Sequence, residues 1–143
     1  MMKLFTWALV VCFVAMSSSC SKVKRAMNKL EGKWELVGMR VIDGEGFTHY
    51  VGNFEGELVL DFESLTSIGE ASFHDEDLSG GQAFTNNFSG DSVRLEVDQD
   101  LIYIGENTDR HSFSILLSTR KELILEYYDT GNFQMRKFIF TRL

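Results

Sequence analysis

Three histidines, His49, His74 and His111, bound the acid–base chemistry this chain could do. Nucleophilic catalysis needs a serine or cysteine within hydrogen-bond reach of such a base. Serines are plentiful, but there is no Gly-x-Ser-x-Gly turn, and the two cysteines, Cys12 and Cys20, both lie near the start of the chain. His74-Asp75-Glu76-Asp77 could offer an imidazole and several carboxylates to a divalent cation. Neighbours along a strand point to opposite faces, so a solvated turn explains that run better. His49 reads as a loop residue and His111 as the start of a strand. Asp43, Asp98, Asp100 and Asp129 read as hairpin punctuation rather than catalytic pairs. No glycine-rich phosphate loop precedes a helix. These residue types imply neither an enzyme, nor a metal centre, nor a bound cofactor.

The elements that carry these groups are strands. Ser21–Leu30 can form a short helix, with Val23, Met27 and Leu30 at i, i+4 and i+7 on one face. Beyond Glu31 the apolar residues alternate, in short runs separated by turn residues at the spacing of an all-β protein. The runs are Lys33–Val41, Phe54–Phe62, Leu65–Phe73, Gln82–Phe88, Val93–Val97, Leu101–Ile104, His111–Ser118, Glu122–Tyr128 and Phe133–Arg142. In the first run the apolar phase changes after Leu36, which predicts a bulge near Leu36–Val37 or a strand buried on both faces. Every connection is of hairpin length, so sequence neighbours should pair antiparallel, and βαβ crossovers have no room. A meander of eight to ten strands with no proline to blunt an edge predicts closure into a barrel, with a two-sheet sandwich as the alternative.

Ahead of this domain, Lys3 precedes an apolar run of thirteen residues, Leu4–Met16, followed by Ser17, Ser18 and Ser19. As a helix the run would span about 20 Å, short of the ~30 Å hydrocarbon core, so it reads as a secretory signal peptide. Met16-Ser17-Ser18-Ser19-Cys20 resembles the lipobox of bacterial lipoproteins. That resemblance implies acylation of Cys20, cleavage before it and a stable membrane anchor. Ser17 stands where leucine is usual, which leaves ordinary cleavage near Ser19 open. The implied organisation is a signal peptide over 1–19, a lipid-anchored basic tether over 20–30 and a barrel domain over 31–143. Lys22, Lys24, Arg25 and Lys29 form the basic collar of that tether, suited to lying near anionic headgroups. Losing Lys3 with the leader moves the net charge from −7 to −8, and Cys12 leaves with it.

Gly32-Lys33-Trp34 after a short helical turn resembles the opening of the lipocalin and fatty-acid-binding barrels, which begin with Gly-x-Trp on strand one. The ending Lys137–Arg142 resembles their last strand, whose arginine packs across the motif tryptophan. Gly32, Trp34 and Arg142 would then be the barrel-closing motif, with a cation–π contact between Trp34 and Arg142. Thr108-Asp109-Arg110 resembles the Thr-Asp-Tyr of a second lipocalin motif, with Arg110 in place of tyrosine. No helical pattern follows the last strand, where lipocalins carry a helix, and Asp43–Asn53 is too short for a fatty-acid-binding lid. Signal peptide included, the pattern is similar to the small lipocalin-like lipoproteins of Bacteroidota. That resemblance implies a place in the bacterial cell envelope, lipid-anchored on the periplasmic face of the outer membrane or on the cell surface.

Composition narrows the partners. Fourteen basic against 21 acidic residues argue against a nucleic-acid binder, and 44% hydrophobic residues argue against disorder. The barrel interior is the remaining place for function. A small barrel can be filled by side chains or can hold one small ligand. Phe62, Phe73, Phe88, Tyr103, Phe113, Tyr127 and Phe138 are the candidate ligand-lining residues. The mouth would lie opposite Trp34, near His49–Tyr50 and Asn86–Phe88. Two readings follow: a monomeric, membrane-anchored binder of a small hydrophobic ligand, or a packed barrel that binds another envelope protein through loops or an edge.

Overall fold

The computed structural model describes residues 21–75, 82–106 and 109–143. Helix α1, residues 21–30, comes first. Met27 and Leu30 face the barrel, and Leu30 is 1% exposed. The Trp34 indole Nε1–H donates to the Leu30 carbonyl at 2.8 Å, satisfying one of the carbonyls a helix end leaves open.

Ten strands follow: β1 (Gly32–Ile42), β2 (Thr48–Tyr50), β3 (Asn53–Asp61), β4 (Thr66–Asp75), β5 (Gln82–Asn87), β6 (Ser92–Glu96), β7 (Leu101–Glu106), β8 (Asp109–Ser118), β9 (Glu122–Asp129) and β10 (Gln134–Arg142). They form one antiparallel sheet in the order β5-β4-β3-β1-β10-β9-β8-β7-β6, with β2 paired to β1 as a short side arm. The expected antiparallel meander is what forms, and the sandwich alternative falls. First and last strands pair along their whole length, from Trp34 opposite Arg142 to Ile42 opposite Met135. A bulge between Leu36 and Gly38 lets Trp34, Leu36, Met39 and Val41 all point inward while Val37 is half exposed.

The ends of this sheet, β5 and β6, are consecutive in the chain and run in the same direction. Together they form one kinked strand, bonded to β4 in its first half and to β7 in its second. The switch occurs at Phe88–Asp91. There Ser67 N–H donates to the Gly90 carbonyl at 2.9 Å, Gly90 N–H to Ser67 at 3.0 Å, and Val93 N–H to Leu65 at 3.0 Å. These bonds continue the β4 ladder onto β6 and curl the sheet shut at that level. Gly90 is required here: a Cβ would lie 2.8 Å from the Gly105 backbone. Farther from the α1 end, the second edge of β5 has no strand partner among the described residues.

The interior is apolar from the α1 end upward. Phe88 is fully buried, with ring centres 5.4, 5.2 and 5.8 Å from Phe113, Phe138 and Phe140. These rings come from β8 and β10, on the opposite side of the ladder from β5, so they meet only across the interior. Leu58, Leu60, Ile102, Ile104, Leu123 and Leu125 complete the packing.

Candidate functional site

β10 alternates, so Gln134, Arg136, Phe138, Phe140 and Arg142 share the inward face. Arg136 is the consequence that matters. Its side chain is only 4% exposed, and its Nη1 donates to Asn86 Oδ1 on β5 at 2.7 Å. Nη2 lies 2.5 Å from Asp129 Oδ2 and 3.4 Å from Gln134 Oε1. β5 and β10 are separated in the ladder by β4, β3 and β1, so the Arg136–Asn86 bond crosses the interior. The guanidinium carbon stands 5.1 Å from each of the Phe73 and Phe84 ring centres, and those rings stack on each other at 5.2 Å. Tyr127, directly opposite Arg136 on β9, closes the other side. Arg136 Nε is buried and has no acceptor among the described residues. A buried arginine donor without a partner is costly, and a ligand oxygen would relieve that cost.

The electrostatics are local. Burial pushes the Arg136 guanidinium below its ordinary value, and Asp129 and Tyr127 push it back up. Burial also raises Asp129. That effect is outweighed by the Asn132 amide, by Arg136 and by the Asn132 and Gly131 backbone N–H groups, so Asp129 ends below the usual carboxylate range. Asp129 thus does two jobs: its Oδ1 caps the β9–β10 turn at Gly131 and Asn132, and its Oδ2 holds Arg136.

The candidate lining residues fall in three places. Phe73, on the inward face of β4, and Tyr127 belong to the Arg136 cluster. Phe113 sits just below it, 5.2 Å from Tyr127. Phe88 and Phe138 belong to the packed core, so Phe88 is no part of a mouth; Phe62 is also buried with the core. Tyr103 does not line the interior. Ile102 and Ile104 take the inward phase of β7, and Tyr103 lies outside under the Arg94 guanidinium at 4.6 Å. The error is one of register: a strand read one residue out of phase presents the wrong face. Asn86, expected near the mouth, does reach this cluster; Arg136 and Gln134 were not among the candidates, although their alternation with Phe138 and Phe140 on β10 carries the signal.

At the opposite end, Arg142 lies over Trp34 with its guanidinium carbon 4.4 Å from the ring centre. Its Nη1 donates to the Glu31 carbonyl at 2.7 Å, and its Nη2 to the Lys29 carbonyl. Gly32 has φ +123°, and a Cβ there would lie 3.0 Å from Arg142 Nη1, so the glycine makes room for the guanidinium. On the side arm, His49 Nε2 and Asp43 Oδ2 are 2.9 Å apart, pinning β2 to the β1 turn. Cys20, residues 1–19, Thr108, Glu76 and Asp77 lie outside the described residues. Among the described residues no group of three histidine, cysteine or acidic side chains could hold a metal ion, and no helix is long and apolar enough to cross a membrane.

No family model matches this chain, and no curated protein matches it. Solved structures do. One is the bovine odorant-binding protein in complex with undecanal, 18% identical over 80% of this chain and 72% of that one, with a TM-score of 0.40. Another is a dog lipocalin allergen, 15% identical over 78% of this chain and 72% of that one, with a TM-score of 0.43.

Proposed function

We propose that this protein is a membrane-anchored, lipocalin-like barrel that binds a small hydrophobic ligand carrying one polar oxygen. The ligand lies at the Arg136 end of the interior and reaches it beside the edge of β5 that has no strand partner among the described residues. The observation that carries this reading is the buried Arg136 side chain, held among Phe73, Phe84 and Tyr127, with Nε unpartnered among the described residues. Small-molecule sites are mostly apolar with a few convergent polar groups, and this end of the barrel has that composition. The filled interior below Phe113 limits the ligand to a short or partly protruding molecule. Anchoring rests on the sequence alone, through the lipobox-like run ending at Cys20. Whole-protein mass before and after delipidation tests it: acylation adds the mass of the chains to a protein beginning at Cys20.

Binding is tested by displacement of an anilinonaphthalene sulfonate dye with fatty acids of increasing length, retinoids and haem. Displacement by carboxylates that weakens at least about tenfold in Arg136→Met supports the site. No displacement by any of them sinks it.

A second reading, a packed barrel that docks a protein partner, is favoured by the exposed aromatics at the far turns. Phe47 is 64%, Tyr50 75% and Phe133 67% exposed. Loss of a partner on replacing these three, with no dye displacement, would favour it.

A further inference from the structure

The end of the barrel closed by Trp34 carries most of the positive charge of an acidic protein. Residues 21–33, 119–122 and 142–143 hold eight of the 14 basic residues and two of the 21 acidic ones, Glu31 and Glu122. The structure brings these segments together: Arg142 donates to the carbonyls of Glu31 and Lys29, and its N–H donates to the Lys121 carbonyl at 2.9 Å. Lys22, Lys24, Arg25, Lys29, Lys33, Arg120 and Lys121 are all exposed, and none forms a salt bridge among the described residues. Two clefts meet along helix α1. One, of about 610 Å³, is lined by Arg25, Asn28, Lys29, Arg120 and Arg142. The other, of about 430 Å³, lies between Lys22, Arg25 and Lys29 of the helix and the Ile115–Ser118 end of β8, where Asp100 is its one carboxylate.

Apolar groups sit beside this charge. A bulge between Ile115 and Leu117 turns Leu116 and Leu117 outward, and they are 48% and 36% exposed next to the helix cations. Cations flanking exposed leucines suit the interface of an anionic bilayer, where basic groups meet headgroup phosphates and aliphatic side chains enter the acyl boundary. One flank of the barrel is unsuited to that contact. On the outer face of β1, β3 and β4, Glu35, Glu57 and Glu70 stand opposite one another, with Glu55 beside them.

We infer that the α1 end is a docking face for an anionic lipid surface, with headgroup phosphates held between Arg25, Lys29 and Arg120. The occupant follows from charge complementarity and from the chain itself: the residue directly before Ser21 is Cys20, the acylation site of the proposed anchor. The inference rests on the reading that this segment meets a membrane. It adds which face lies down and what chemistry holds it, so the barrel stands with the Arg136 end away from the bilayer.

The test uses the full chain with phosphatidylcholine vesicles, with and without phosphatidylglycerol, and reads backbone hydrogen exchange. Docking slows exchange in 21–31 and 115–122 only on the anionic vesicles, and added salt reverses it. Arg25→Glu, Lys29→Glu and Arg120→Glu together should reduce that protection at least about tenfold while leaving the thermal midpoint unchanged. A chain that floats with both kinds of vesicle but exchanges identically on them overturns the docking face and leaves the anchor standing. One that floats with neither overturns the anchor and this inference with it. Inorganic phosphate reproducing the protection without vesicles overturns the lipid surface in favour of a soluble anion.

Discussion

The guanidinium of Arg142 lies 4.4 Å from the centre of the Trp34 ring, and the two residues are direct partners in the β1–β10 register. Helix end, first strand and last strand therefore meet at one point. Trp34 bonds the Leu30 carbonyl, while Arg142 bonds the carbonyls of Glu31 and Lys29. Three helix-end and linker carbonyls that would otherwise need water are satisfied by two side chains.

Arg142→Ala removes the cation–π contact and both backbone bonds at once, and should cost about 2–4 kcal/mol in urea unfolding. Arg142→Lys keeps the charge but not the fork of donors, and should recover less than half of that. A loss below about 0.5 kcal/mol in the alanine variant would show that water serves the carbonyls as well.

Gly69 has φ +150°, and a Cβ on it would lie 2.1 Å from the Glu57 carbonyl oxygen. Gly69→Ala must push β3 and β4 apart next to the closure at Ser67. It should cost about 3 kcal/mol or more and speed exchange of the Ser67 and Gly90 amides. Normal stability would mean the strands slide without loss.

Phe88→Ala empties the space between Phe113, Phe138 and Phe140 and should cost about 3–5 kcal/mol. The void is apolar and should stay dry, so xenon should raise the melting temperature of the variant and leave the parent unchanged. A variant that shows no xenon response has collapsed around the missing ring.

Asp129 ties stability to acid. Its folded-state pKa is lowered below the unfolded value, so the folded chain holds its proton less tightly than the unfolded chain. The stabilisation is present above about pH 4 and is lost as pH falls through the folded value. Asp129→Asn should flatten this part of the acid limb in urea midpoints measured from pH 6 to 3. An unchanged slope would assign the acid sensitivity to other carboxylates.

Much of the fold is legible in the residues. Alternation finds the long strands. The change of apolar phase after Leu36 marks the bulge that the ladder shows between Leu36 and Gly38. The three-residue arm Thr48–Tyr50 is too short to show a period. Tyr103 was misread because a six-residue strand with Leu101, Ile102, Tyr103 and Ile104 in succession is apolar in both phases. Arg136 is legible only by parity. Charge normally marks an outward position, and nothing local shows that Asp129 and Asn86 will meet it.

The sequence by itself determined the element types, their antiparallel succession and the basic collar ahead of the first strand, because period, turn residues and charge spacing are local properties of the chain. Only the tertiary structure decided that β5 and β6 are one strand serving two neighbours, that Arg136 is buried among Phe73, Phe84 and Tyr127, and that Arg25, Lys29 and Arg120 share one cleft. Each of these brings together residues distant in the chain, up to 95 positions apart for Arg25 and Arg120, or turns on which edge a strand finds. Such pairings are fixed by closing the sheet on its own core, and they leave no mark within any one segment.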